Sequence, residues 1–163
     1  MTHVVNLTYT GAAVAVTNNY NKLEGSLKVT KTWTGDDSLL TTDQKNAVTF
    51  TVTGPKQNSA DENTYSTSFT YADMTNGSKT LEHLTLGEYT VVETNANYDG
   101  YTVTTTYKVG ETTTSTATVT DGGTAQIDVT NNVDQLEGGL TITKSWTGDT
   151  ANMSDEDKNA ISF

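Results

Sequence analysis

The chain has 163 residues and a formal net charge of −11, and it contains neither cysteine nor arginine. The absence of cysteine excludes a disulfide framework and a thiolate metal site. The negative charge argues against binding to nucleic acid or to anionic membrane surfaces, because both select for basic patches. No stretch is apolar enough to span a bilayer, so no membrane insertion is predicted for this segment. Thr alternates with Val, Tyr, Ile and Phe over long stretches, which is typical of β-strands.

The sequence contains an internal repeat with a period of 113 residues. Residues 17–50 and 130–163 are identical at 17 of 34 positions when they are aligned without a gap. The repeat predicts that residues 1–21 hold the closing strand or strands of a preceding repeat and that residues 22–133 form one complete domain. Residues 134–163 are then the opening strands of the following repeat. Because this last segment ends within a predicted strand, we expect the chain to be an excerpt of a longer tandem array.

Within residues 22–133, short alternating segments are punctuated by turn residues. Asn76-Gly77 is a strong signal for a two-residue hairpin between its flanking strands. One helical turn is expected in the polar loop 36–46. Seven or eight short strands without a long helix predict an all-β fold, a β-sandwich. The predicted strands are Ser26–Thr34, Ala47–Thr53, Tyr65–Tyr71, Ser78–Leu84, Gly87–Thr94, Tyr101–Val109, Thr114–Thr120 and Thr124–Asn131.

Three of these strands carry a polar residue on the face that alternation assigns to the core. In a strand, every second side chain lies on the same face. The three apolar faces are Leu27, Val29, Lys31 and Trp33; Tyr89, Val91 and Glu93; and Ile127, Val129 and Asn131. Each polar residue alone also fits a core group that a neighbour or a strand-end position satisfies. A buried ammonium is costly, however, unless it is paired or loses its proton.

Together, the three polar residues suggest a covalent reaction. A deprotonated Lys31 amine is a nucleophile, and the Asn131 amide offers a carbonyl carbon with a leaving group. A protonated Glu93 could hydrogen-bond and polarise the Asn131 carbonyl and carry protons between the reacting groups. Attack followed by loss of ammonia would leave a Lys–Asn isopeptide bond, with orientation inside the folded core replacing an external enzyme.

At these positions the sequence resembles a known family. Lys-x-Trp in the first strand, Gly87-Glu88-Tyr89-Thr90-Val91-Val92-Glu93 and the closing Val129-Thr130-Asn131 are similar to the Cna B-type (SpaA-like) repeat domains of Gram-positive surface adhesins and pilins. The resemblance implies an immunoglobulin-like sandwich whose first and last strands become cross-linked spontaneously. Carried over by position, Lys31 is the amine donor, Asn131 the acceptor and Glu93 the catalytic acid. The equivalent positions in the partial repeats are Asn18 and Lys144.

No metal site or cofactor is predicted. The acidic loop clusters 36–37, 61–62 and 155–157 lack the spacing of a calcium loop. His3 and His83 are far apart in the sequence, with no cysteine available to complete a site.

We therefore expect a structural stalk repeat of a secreted, wall-associated adhesin or pilus-like fibre, located outside the cell. Its partners are neighbouring repeats of the same protein, and a host or glycan ligand would be bound through other domains. The alternative is a sandwich module that itself binds a ligand or glycan. An enzyme is disfavoured, because the reactive residues would be consumed in a single turnover.

Overall fold

The computed structural model describes residues 15–160, and within them Glu24–Gln135 form a sandwich of two β-sheets. The all-β sandwich expected from the sequence is therefore confirmed. The strands are β1 Glu24–Gly35, β2 Thr49–Gly54, β3 Tyr65–Thr70, β4 Ser78–Thr85, β5 Gly87–Thr94, β6 Tyr101–Val109, β7 Thr112–Thr113, β8 Thr116–Val119 and β9 Thr124–Gln135. The helices are α1 Thr42–Asn46 and α2 Asp155–Asn159, with 3-10 turns at Asp37–Leu39, Tyr71–Asp73 and Thr150–Asn152.

The first and last strands of the sandwich are direct neighbours. One sheet has the order β4-β1-β9-β6-β7 and the other the order β3-β2-β5-β8. β1 and β9 run parallel and pair from Ser26 opposite Thr124 to Gly35 opposite Val133, whereas the other strand pairs are antiparallel. Parallel neighbours need a crossover connection, and here the rest of the domain supplies it.

The core lies between the two sheets and follows the predicted alternation. On β1, Leu27 and Val29 are fully buried, and on β9, Ile127 and Val129 are fully buried. Tyr89 is among the largest side chains without solvent exposure. The predicted inward faces of β1, β5 and β9 are thus confirmed, which places the polar residue of each face inside the sandwich.

The predicted hairpin at Asn76-Gly77 is wrong as a pairing of its flanking strands. Both residues have positive φ, at 50° and 69°, and Thr75 pairs with Ser78, so the tight turn itself is present. The 3-10 turn Tyr71–Asp73 precedes it and carries the chain from one sheet to the other. As a result β3 pairs with β2, while β4 pairs with β1 in the opposite sheet.

The two ends of the described chain lie outside the sandwich. No strand is present in residues 15–23 or 136–160. Residues 1–14 of the segment predicted to close a preceding repeat lie outside the described residues. Several apolar side chains in these ends are exposed, among them Val16, Tyr20, Leu140 and Ile142. Strand 137–148, the counterpart of β1 at the 113-residue spacing, is not formed.

Local structure in the C-terminal segment nevertheless repeats that of the domain. The capping box of α1 has Thr41 as N-cap, and its counterpart 113 positions later, Ser154, caps α2 in the same way. Gly35 and Gly148 likewise share a positive φ, of 76° and 86°. Caps and turns depend on neighbouring residues alone, whereas a strand needs a partner, so only the former appear without a completed sheet.

None of the helices in residues 15–160 combines the length and the apolar character needed to cross a membrane.

Candidate cross-linking site

The structure brings Lys31, Glu93 and Asn131 together in the centre of the sandwich. Lys31 and Asn131 project from the adjacent strands β1 and β9 of one sheet, and Glu93 projects from β5 of the facing sheet. Lys31 pairs with Val129 and Trp33 with Asn131 along the ladder, so the lysine and the asparagine are offset by two residues. A long lysine side chain can bridge that offset.

A single carboxyl group contacts both of the other side chains. Lys31 Nζ lies 2.8 Å from Glu93 Oε2, and Asn131 Nδ2 donates a hydrogen bond to Glu93 Oε1 at 2.5 Å. The side chains of Lys31 and Glu93 are 0% and 1% exposed, and Asn131 is 0% exposed. The Lys31–Glu93 contact is short but poorly aligned, since neither atom has a hydrogen-bond partner of normal geometry among the described residues.

The orientation of the Asn131 amide differs from the expectation that Glu93 polarises the carbonyl. The nitrogen faces Glu93, while Oδ1 is buried without a hydrogen-bond partner in the described part of the chain. Rotating the amide by 180° about the Cβ–Cγ bond would exchange the two atoms. In the orientation observed, the carboxyl group contacts the Lys31 amine and the Asn131 amide nitrogen at once.

Burial lowers the pKa of the Lys31 amine from 10.5 to about 8. Desolvation in the core is the larger effect, and the opposing charge of Glu93 offsets part of it. Proton transfer over the 2.8 Å contact would leave both groups neutral. The neutral amine, which is the nucleophilic form, is therefore accessible near neutral pH.

Trp33 covers the amine on the side of β1 that leads out of the core. Lys31 Nζ lies 4.5 Å from the centre of the Trp33 ring, and Tyr71 packs edge-on against the same ring at 5.8 Å. Lys45 of α1 lies 5.5 Å from the ring centre and is held by Asp37 at 2.7 Å. The indole thus separates the buried lysine from a partly buried ion pair nearer the surface.

Two tyrosines support Glu93 and the helix nearby. The hydroxyl of Tyr107 on β6 accepts a hydrogen bond from the Glu93 backbone N–H at 2.8 Å. The Tyr98 hydroxyl donates to the carbonyl of Gln44 in α1 at 3.2 Å, and burial raises the pKa of Tyr98 to about 12, with the Glu93 charge acting in the same direction. Tyr98 therefore remains a neutral donor over the whole physiological range.

Sequence reasoning missed these aromatic roles. The Lys-x-Trp spacing places Lys31 and Trp33 on one face, which was a usable signal for their contact. The link between Tyr107 and Glu93 had no comparable signal, because it joins strands from different sheets.

The structure does not bring Asn18 and Lys144 into a comparable site. Both are exposed and lie outside any strand. Lys144 Nζ lies 4.7 Å from the ring of Trp146, which repeats the contact between Lys31 and Trp33. Within residues 15–160, no cluster of three or more His, Asp or Glu side chains is placed to hold a metal ion.

A family profile described as "Domain of unknown function (DUF5979)" matches residues 27–134. The match covers well over half of the chain and nearly all of the sandwich, and the chain belongs to this family. Among curated proteins, no significant match to the chain is found.

Several solved structures are similar to the chain. The major pilin T-13 of Streptococcus pyogenes is 27% identical, covers 69% of this chain and 46% of its own length, and has a TM-score of 0.38. The minor pilin GBS52 of Streptococcus agalactiae is 15% identical, with coverages of 76% and 49% and a TM-score of 0.38. An adhesin of Mobiluncus mulieris with intramolecular disulfide, isopeptide and ester cross-links is 26% identical, with coverages of 66% and 40% and a TM-score of 0.35. The chain spans less than half the length of each of these proteins.

Proposed function

We propose that the domain is a structural stalk repeat of a bacterial cell-surface adhesin or fibre, and that a self-formed isopeptide bond between Lys31 and Asn131 stabilises it. The observation that carries the proposal is the contact of one buried carboxyl group, Glu93, with both the amine and the amide. Burying an unreacted lysine, glutamate and asparagine in an apolar core costs folding free energy. A bond that uses these residues would account for their presence there.

The reaction balances with the residues present. Lys31 passes a proton to Glu93, and its neutral Nζ attacks Cγ of Asn131 to form a new C–N bond. Glu93 then also takes the second proton that Nζ must lose to become an amide nitrogen. Nδ2 receives both protons by way of Glu93, the Cγ–Nδ2 bond breaks, and the nitrogen leaves as ammonium. The product is one secondary amide between β1 and β9, and Glu93 ends in the state in which it began. Each protein molecule performs the reaction once, so the domain is not an enzyme that turns over.

A stalk role follows from which strands the bond would join. The chain enters the sandwich at β1 and leaves it at β9, so a pulling force applied to the two ends acts between these strands. A bond at Lys31 and Asn131 would carry that force past residues 32–130. The resemblance to Cna B-type domains supports the same role and an extracellular, wall-associated location.

The mass of the intact protein tests the proposal. The folded chain should weigh one ammonia less than its sequence, and peptide mapping should place the deficit in a fragment that joins Lys31 to Asn131. Glu93→Gln keeps the size of the side chain but cannot carry the proton, and it should restore the full mass in a folded protein.

Glu88→Gln is the matched control, because Glu88 lies on the same strand with its side chain exposed. This variant should keep the deficit. A folded wild-type protein of full mass would refute the cross-link.

A further inference from the structure

The spacing of the repeats leaves almost no linker between them. β9 ends at Gln135, and β1 begins at Glu24. The counterpart of Glu24 at the 113-residue period is Glu137, within the repeated Leu-Glu-Gly of residues 23–25 and 136–138. Leu136 is therefore the single residue between the last strand of one repeat and the first strand of the next.

The sandwich holds the backbone up to Leu136, and a folded following repeat would hold the backbone after it. The Leu136 N–H donates to the carbonyl of Gly100 at 2.8 Å, and the preceding Gln135 N–H donates to Asp36 Oδ2 at 2.9 Å. In the complete domain, the Glu24 carbonyl accepts a hydrogen bond from Gly122 N–H at 2.8 Å. Once the next repeat folds, its Glu137 takes that position, and few soft backbone dihedrals remain at the junction.

The same leucine recurs at each junction and is exposed in the single domain. Leu23 is 55% exposed and Leu136 is 61% exposed. Exposing a large apolar side chain to water at the point where the chain leaves the sandwich is unfavourable. The adjoining repeat begins one residue away, so its end lies close enough to cover this side chain.

We propose that the end of the sandwich formed by Asp36, Gly100 and Leu136 is a docking surface for the following repeat of the same chain. Its partner is the opposite end of that repeat, where the start of β1 meets the turn before β9. Leu136 is enclosed between the two repeats where these ends meet, and successive repeats form a rigid rod. The inference rests on the proposed stalk role and specifies the contact that transmits its stiffness.

A chain with two complete sandwiches tests the proposal. Residues 1–136 are followed directly by a second copy of residues 24–135, which holds all nine strands and keeps the Leu-Glu-Gly junction. Because the protein lacks cysteine, Thr118→Cys in each copy attaches two spin labels at an exposed site without side reactions. The distribution of distances between the labels reports how far the repeats move relative to each other.

The native junction should give one narrow distance distribution. Inserting Gly-Ser-Gly-Ser after Leu136 should widen it at least about twofold, since such segments behave as flexible coils. Leu136→Ser should widen it as well, while Leu23→Ser in the same chain should leave it unchanged, because no complete repeat precedes Leu23 there. A native distribution as wide as that of the insertion variant would overturn the claim that the repeats form a rigid rod. A narrow distribution in Leu136→Ser would overturn the claim that Leu136 is enclosed between them.

Intact mass measured on the same samples separates this inference from the proposed cross-link. A deficit of two ammonia molecules together with a wide distribution would leave the cross-link standing and reject the docking surface. Full mass together with a narrow distribution would do the reverse.

Discussion

Lys31 combines a position that the fold dictates with a charge that the fold disfavours. Strand alternation fixes it on the inner face of β1, and the core around it lowers its pKa to about 8. Lys28 on the same strand lies on the outer face and is only half-buried. The lowered pKa of Lys31 therefore arises from its position on the inner face of β1 and from its burial, and not from the residue type alone.

The titration of Lys31 predicts a pH dependence of stability in a protein that cannot cross-link. In Asn131→Ala the amine stays free, and because its folded pKa lies below the unfolded value, the unfolded state binds more protons between about pH 8 and 10. The free energy of unfolding should then rise with pH by about 2–3 kcal/mol over this window. Denaturant unfolding at several pH values measures it.

The control for this prediction is Asn131→Ala combined with Lys31→Met. The double variant should lose the rise, since the amine that causes it is absent. A slope that persists in the double variant would assign it to other groups.

Substitutions of Trp33 should separate its contribution to core packing from its role in shielding the Lys31 amine from water. Trp33→Ala in the Lys31→Met background, where no bond forms, should lower the free energy of unfolding by about 2–3 kcal/mol, somewhat less than for a fully buried tryptophan. With Lys31 present, the same change admits water to the amine and should lower the cross-linked fraction seen by intact mass. Trp33→Phe keeps a ring over Lys31 and should keep the bond. Equal cross-linking in the Ala and Phe variants would contradict a shielding role.

At the scale of strands, the sequence predicted which segments form strands and which face of each is buried better than it predicted which strands pair. Eight of the nine strands were expected, and the missing one, β7, has only two residues. Asn76-Gly77 encoded its tight turn, but whether the flanking strands pair depends on the sheet that each one joins. The sheet that each strand joins depends on long-range packing in the core, which a local sequence pattern does not encode. The same limit applies to the contact between Tyr107 and Glu93.

Close packing between strands predicts the cost of adding one methyl group. A Cβ on Gly54 of β2 would lie 2.3 Å from two ring carbons of Tyr89. Tyr89 is fully buried and its hydroxyl donates to the Thr85 carbonyl, so the ring cannot move away. Gly54→Ala should lower the free energy of unfolding by about 3 kcal/mol, at the upper end for overpacking. Chemical denaturation of the two proteins measures the difference.

Gly138→Ala is the matched control. Gly138 lies outside the sandwich with no atom within 4 Å of an added Cβ, and the change should alter stability by less than about 0.5 kcal/mol. A Gly54→Ala protein as stable as this control would show that β2 and β5 can separate freely.

Across the whole molecule, the candidate site needs both sheets at once. The inner faces of β1 and β9 were readable from alternation, and so was the face of β5 that carries Glu93. Their convergence on one point was expected from a family resemblance, since alternation gives a face and not a position along the neighbouring strand. The aromatic cover and the amide orientation of Asn131 depend on packing distances that only the assembled sandwich sets.

The partial repeats predict how many bonds the chain of 163 residues can form. Lys144 already makes the contact with Trp146 that Lys31 makes with Trp33, yet it is exposed, and within residues 15–160 no sheet that carries a glutamate faces it. Its amine therefore stays solvated, and Asn18 lies exposed within residues 15–23, where no strand is present. The chain should lose one ammonia only, and an amine-reactive acetylating reagent should modify Lys144 but not Lys31. Lys31→Met is the control and should have full mass although Lys144 and Asn18 remain. A second deficit in the native chain, or any deficit in Lys31→Met, would mean that the local lysine–tryptophan contact suffices for the reaction and that the facing sheet does not matter.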